Sequence, residues 1–176
     1  GLGKIGRIVA RLCSAFDMTV IGYDPYIPLD TWEATGVRQA RDIVELTRAS
    51  DFILVHAILT DETRGILSKK VLAEAKKGVV LVNVARAELI DQEALLECLN
   101  NDRIAAAVLD VFSEEPPVDR RLADHPSVVA TPHIAAWTFE ARERMTIGAA
   151  EEVVRCLSGS APQHPVNQPE APRNGG

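Results

Sequence analysis

The sequence predicts an α/β protein built on a doubly wound parallel sheet. Two observations carry this reading. Short apolar runs alternate with helix-like stretches from the first residues to about Leu157. The runs, such as Asp51–His56 and Val79–Asn83, are apolar at nearly every position, which suits strands covered on both faces.

The elements follow in order. Lys4 to Phe16 reads as a helix, with Ile5, Ile8, Val9, Leu12 and Phe16 on one stripe. Met18 to Tyr23 is a strand that ends at Asp24. Helical stretches near Asp30–Ala34 and from Arg41 to Ala49 precede the strand Asp51–His56. Ser68 caps a helix to Lys76, and Gly78 stops it. Val79–Asn83 is a strand, and Asp91 caps a helix to Asn100. Ile104–Leu109 and Val128–Ala130 are two further strands. A long helix over residues 139–158 closes the folded domain, 1–158. Residues 159–176, with Pro162, Pro165, Pro169 and Pro172, carry no periodicity and read as a tail.

Composition narrows the function. The 176 residues suit one domain with a core. A net charge of −6 and a pI near 5.2 argue against nucleic acid or an anionic membrane as partner. No apolar run reaches the length of a membrane span. Cys13, Cys98 and Cys156 fit neither a disulfide framework nor zinc spacing, so we expect no metal, buried thiols and a cytoplasmic setting.

Glycines at positions 1, 3 and 6 fit a phosphate-binding turn. The first allows a tight bend, the second lets the backbone approach a pyrophosphate, and the third lets the next helix pack closely. Amides at the helix start then face the anion. Such a turn follows a strand, and none precedes it in this sequence. We therefore expect a piece of a longer chain, with the first, central strand of the sheet upstream. Asp24 lies 18 residues after Gly6, at the end of the second strand. A carboxylate there accepts hydrogen bonds from the adenosine ribose hydroxyls and repels a 2′-phosphate, so NAD is favoured over NADP. The fold class is then Rossmann-type.

Ligands of open parallel sheets bind beyond the carboxyl ends of the strands. Arg86 follows Val79–Asn83; Asp110, Glu114 and Glu115 follow Ile104–Leu109; His133 follows Val128–Ala130. His suits proton exchange with a hydroxyl near neutral pH. A carboxylate beside it would orient the ring, and Arg can clamp a substrate carboxylate bidentately. Together these groups suit hydride exchange between a nicotinamide and a 2-hydroxy acid.

The chain resembles the D-isomer-specific 2-hydroxyacid dehydrogenase family. The resemblance rests on Asn83–Val84–Ala85–Arg86 with Leu89–Ile90–Asp91, on Leu109–Asp110–Val111–Phe112 with Glu115–Pro116, and on Thr131–Pro132–His133–Ile134. Tyr23–Asp24–Pro25–Tyr26, Asp61–Glu62–Thr63–Arg64–Gly65 and Pro165–Val166–Asn167 add to it, in the family's order along nearly the whole chain. It implies that Arg86 binds substrate, His133 is the acid/base, and Glu115, which directly precedes proline, is its partner. It implies that Asp110 holds the nicotinamide carboxamide, and that Gly1, Gly3, Lys4, Ile5, Gly6, Asp24, Val84, Ala85, Arg86 and His133 also contact NAD. A small 2-hydroxy or 2-oxo acid substrate, a homodimer and an N-terminal substrate domain outside this sequence are implied as well.

The sequence departs from the family at Ala87 and Glu88 and at Ala135 and Ala136, where glycines are usual, at Ile58, where proline is usual, and at Asp17, where a glycine usually ends the first helix and Asp tolerates the left-handed conformation needed there. Trp137 either walls the pocket or packs in the core. Ala135–Ala136–Trp137 after the His also loosely resembles the C-terminal-binding-protein corepressors. A dinucleotide-sensing regulatory protein is therefore the alternative to an enzyme.

Overall fold

The computed structural model describes residues 1–167. Residues 168–176, half of the expected tail, lie outside the described part. Two compact units divide at Ile134 and Ala135.

In the first unit, α1 (Lys4–Ala15) leads to β1 (Ile21–Gly22), α2 (Leu29–Thr35), β2 (Arg38–Gln39), α3 (Ile43–Ala49) and β3 (Phe52–Val55). Then come α4 (Lys69–Ala73), β4 (Val79–Asn83), a 3₁₀ turn (Ala87–Leu89), α5 (Gln92–Asn100), β5 (Ile104–Leu109) and β6 (Val128–Ala130). β3, β4, β5 and β6 pair in that order, all parallel, and β1 pairs with β2 in a separate parallel ribbon. This is the α/β parallel arrangement that the alternating apolar runs predict.

Local chemistry fixes the boundaries. Asp42, Ser68 and Asp91 each accept a hydrogen bond from the backbone amide three residues on, and so start α3, α4 and α5. Asp17 takes φ 60°, as its place after α1 requires. α4 is shorter than the expected run to Lys76. Glu74 and Ala75 amides tighten onto Val71 and Leu72 carbonyls, and the Lys76 amide turns away to Thr47 O at 3.1 Å. β1 is also short, because it has only β2 to pair with. β2 carries no apolar pattern and gives no strand signal.

The core lies on one face of the four-stranded sheet. Ile53, Val55, Leu81, Ala107 and Leu109 pack with Leu72, Ala75, Leu95 and Leu99 of α4, α5 and the turn after α4. Phe52, Leu54 and Val129, on alternate positions, are exposed. The expectation of strands covered on both faces therefore fails for these positions. α1 forms where the apolar stripe predicts it, but Ile5, Ile8, Leu12 and Phe16 of that stripe are exposed, and the buried residues are Gly6 and Ala10. A Cβ on Gly6 would strike the Gly1 carbonyl, so this side of the helix lies close to the turn.

The second unit contains α6 (Phe139–Leu157), capped by Thr138 Oγ1, which accepts from the Ala141 amide. None of its residues is buried. Trp137 is exposed and stacks under the Arg142 guanidinium, 5.0 Å from the ring centre, so it is not a core residue. The cysteines also depart from expectation: Cys98 is buried, Cys13 half-buried and Cys156 exposed, all as free thiols.

Candidate active site

The glycine turn packs directly on the end of β3. A Cβ on Gly1 would lie 2.6 Å from the His56 carbonyl atoms and 2.7 Å from the Ala57 amide nitrogen, and one on Gly6 would strike the Gly1 carbonyl. A Cβ on Gly3 would meet nothing within 4 Å. No side chain caps α1, and its first turn holds no acidic residue. The leading amides of a helix have no intrahelical partner, so this end can receive an anion. Asp24 is tied to the turn: one carboxylate oxygen accepts from the Leu2 amide at 2.8 Å, the other from the Tyr26 amide at 3.0 Å. Lys4 and Ile5 are exposed beside it.

The strand order brings the remaining candidates off three adjacent strands. Arg86 follows β4, Asp110 and Glu115 follow β5, and His133 follows β6. Asn83, buried at the end of β4, shapes the first of these loops. Its amide nitrogen donates to Arg86 O at 2.9 Å, and its oxygen accepts from the Ala85 amide at 3.0 Å. Val84 and Ala85 are half-buried, and the exposed Arg86 guanidinium donates to Ala85 O at 2.6 Å. No hydrogen bond within the described residues joins Arg86 to Glu115 or His133.

Asp110 is 2% exposed and accepts on one oxygen from Thr131 Oγ1 at 2.5 Å and from the Ile134 amide at 2.8 Å. It thus grips the chain on both sides of His133, which takes φ 55°, a left-handed conformation uncommon for any residue but glycine. So held, the His133 ring meets Glu115, with Nδ1 to Oε2 at 2.8 Å, while Glu115 Oε1 accepts from the Phe112 amide at 3.2 Å. The His133 contact and the Phe112 amide hold the Glu115 carboxyl below the usual carboxylate range. Thr131 and Asn83 are supporting residues to which sequence patterns assign no role. A polar Asn closing a buried apolar strand is the one available signal. Among the described residues, no group of His, Cys, Asp or Glu is arranged to hold a metal ion.

Residues 1–135 match the family profile for the D-isomer-specific 2-hydroxyacid dehydrogenase NAD-binding domain. The chain belongs to the D-isomer-specific 2-hydroxyacid dehydrogenase family. It is 44% identical over 173 residues to D-3-phosphoglycerate dehydrogenase of Methanocaldococcus jannaschii, a match covering 98% of this chain and 33% of that protein. The chain thus spans about a third of the length of the relatives it matches. Among solved structures, D-lactate dehydrogenase with NAD⁺ from Lactobacillus jensenii superposes with a TM-score of 0.84 at 30% identity, covering 96% of this chain and 54% of that one. An acyclic imino acid reductase in complex with NADPH and D-Arg superposes at 0.81 with 34% identity, covering 93% and 50%. The family's NAD-binding domain is therefore what this chain supplies. The open Gly3 backbone, the uncapped start of α1 and the Asp24 carboxylate fit a dinucleotide. No observation of the site or of these relatives favours the corepressor alternative.

Proposed function

We propose that the full-length protein exchanges a hydride between NAD(H) and a small 2-hydroxy acid or 2-oxo acid, and that Arg86, Glu115 and His133 are its catalytic residues. The observation that carries this reading is the His133–Glu115 pair, held on a left-handed backbone beyond β6. NAD, when bound, takes or supplies the hydride at the carbon bearing the hydroxyl. His133 accepts the hydroxyl proton in oxidation and returns it in reduction. Glu115 fixes the ring through Nδ1 and balances the charge that His133 gains. Arg86 clamps the substrate carboxylate.

On the cofactor side, Gly1, Gly3, Lys4, Ile5 and Gly6 receive the pyrophosphate and Asp24 the adenosine ribose. Val84, Ala85, Arg86, Asp110 and His133 line the nicotinamide end. The solved relatives include one with NAD⁺ and one with NADPH, so the fold alone does not choose between them. Asp24 makes NAD the preferred cofactor.

The test is a panel of 2-hydroxy and 2-oxo acids with the full-length protein. D-3-phosphoglycerate comes first, given the phosphoglycerate dehydrogenases that the chain resembles. Turnover of a panel member, lost in His133→Ala, is the expected result. NAD binding with no turnover, and no effect of His133→Ala, would overturn the enzyme reading.

Residues 1–158 serve in this reading as one NAD-binding domain followed by the 159–176 tail. A slot of about 580 Å³, lined by α1, β1 and β3 residues including Val9, Ile21, Phe52 and Leu54, separates the two sheets. His56 Nε2 is buried there with no partner among the described residues. One further parallel strand would fill the slot and pair both edges. A homodimer is supported by the exposed Ile5, Ile8, Leu12 and Phe16 face of α1, and sedimentation of the full-length protein tests it. The three free thiols support a cytoplasmic location, which cell fractionation tests. No described helix is long and apolar enough to cross a membrane.

A further inference from the structure

A second carboxylate, Glu62, is tied to the loop that carries Asp24. Tyr26 follows Asp24 by two residues. The Tyr26 amide is bound to Asp24 Oδ1 at 3.0 Å, and the Tyr26 hydroxyl donates to the Glu62 carboxylate. A single tyrosine therefore spans from one carboxylate to the other. It crosses from the loop after β1 to the loop after β3, over the carboxyl ends of strands that belong to different sheets. In open parallel sheets that is where a dinucleotide lies.

Glu62 does not sit on a loose loop. Thr63 Oγ1 donates to Ile58 O at 2.6 Å and accepts from the Thr60 amide at 2.8 Å, and the Arg64 amide closes the turn on Thr60 O at 2.9 Å. The Gly65 amide then fastens the turn to Glu88 O at 2.8 Å. No cation neutralises Glu62 among the described ion pairs. Its charge thus stands fixed about one tyrosine length from Asp24.

From this placement we infer that Glu62, positioned by Tyr26, is a second specificity-determining residue that excludes a 2′-phosphorylated dinucleotide. The inference rests on the proposed role of Asp24 at the adenosine ribose. A ribose hydroxyl accommodates both carboxylates, whereas a 2′-phosphate brings about two negative charges to face two more. Asp24 removes hydrogen-bonding room for the phosphate. Glu62 adds repulsion that remains after Asp24 is gone. It follows that replacing Asp24 alone leaves discrimination against NADP incomplete.

The experiment measures NADH and NADPH dissociation constants by fluorescence for the full-length protein, for Asp24→Ser, and for Asp24→Ser with Glu62→Gln or Glu62→Lys. The expected result is a ratio of NADPH to NADH affinity that rises with Asp24→Ser. It rises again by about tenfold with Glu62→Gln and further with Glu62→Lys, and the second gain shrinks as salt is added. Tyr26→Phe in the Asp24→Ser background is expected to give part of that gain, by releasing Glu62. A structural loss would weaken both nucleotides and leave the ratio where it was. A ratio unmoved by both Glu62 variants, with NADH still bound, would overturn the inference alone. Failure of the wild-type protein to bind either nucleotide would overturn the dinucleotide site and this inference with it.

Discussion

His133 Nδ1 and Glu115 Oε2 meet at 2.8 Å, across a gap of 18 residues in sequence. Glu115 is bound on its other oxygen by the Phe112 amide, so neither the carboxylate nor the ring is free to turn. Glu115→Gln keeps the acceptor for Phe112 but loses the charge opposite the imidazole. If the proposed function holds, the full-length protein should lose about 10²-fold in kcat/KM with a smaller change in NADH affinity, since positioned proton exchange contributes about 10²–10⁴-fold. Steady-state kinetics beside a nucleotide titration separates the two. A parallel loss in both would mean that Glu115 only supports the fold.

The same carboxyl sets an acid limit. Its folded-state pKa lies below the ordinary value, about 4.3 for Glu. The stability it contributes is therefore complete above that ordinary value and is lost as pH falls through the lowered one. Glu45 behaves alike and more strongly: bonds from Arg38, from the Arg41 amide and from the Arg41 side chain hold it at about 2. Glu45→Gln is expected to melt earlier than wild type above about pH 5, with the gap closing towards about pH 2. Thermal melts across that range check the sign. A gap that widens on acidification would contradict it.

The glycines of the turn separate into two kinds. A Cβ on Gly6 strikes the Gly1 carbonyl, whereas one on Gly3 meets no protein atom within 4 Å. Gly6→Ala is thus expected to destabilise the domain, and Gly3→Ala to fold normally but bind NAD at least about tenfold more weakly, because a methyl there would occupy the space proposed for the pyrophosphate. Melting temperature and NADH titration distinguish the pair. Equal NAD affinity in Gly3→Ala would remove the turn from the cofactor site.

These contrasts also explain what the sequence makes legible. Val79–Asn83, Ile104–Leu109, Gln92–Asn100 after its Asp91 cap, and Phe139–Leu157 appear in the structure at the residues the patterns indicate. Their apolar periods and caps are local. The positions of Arg86, Glu115 and His133 beyond β4, β5 and β6 are likewise legible, because each follows an apolar run, and the structure joins Glu115 to His133 while the Arg86 guanidinium bonds only to Ala85 O among the described residues. The stripe of α1 misleads because periodicity identifies two faces of a helix without saying which one is buried. Gly6 and Ala10 permit the closer approach. Asn83, Thr131 and the Tyr26–Glu62 contact were hidden for another reason. Their roles are hydrogen bonds to residues brought near only by the fold, or to backbone whose path the sequence does not reveal.

Thr131 offers a clean measure of such hidden support. Its hydroxyl donates to the buried Asp110 oxygen that also receives the Ile134 amide. Thr131→Val conserves shape and removes the donor. We expect a loss of about 1–3 kcal/mol in stability, the usual cost of leaving a buried polar group short of a partner. We also expect kcat to fall more than KM rises, because His133 sits between the two bonded positions. Thr131→Ser should recover both. Loss of stability in Thr131→Val with kcat unchanged would make Thr131 a purely structural residue.

Residues of β1 and β3 line opposite parts of one slot. Phe52 and Leu54 of β3 are exposed, β1 holds only two paired residues, and His56 Nε2 lacks a partner among the described residues. If one more strand fills this slot in the full-length protein, the facing backbone groups of Ile21, Gly22 and Phe52–Val55 become paired there. Each unmade buried hydrogen bond costs about 1–3 kcal/mol, against a domain stability of about 5–15 kcal/mol. Hydrogen exchange should then be slow at these amides in the full-length protein and fast in the 176-residue chain expressed alone. The isolated chain should also melt broadly, with little stabilisation by NAD. A sharp, NAD-dependent transition in the isolated chain, with β3 amides already protected, would mean that the slot needs no strand.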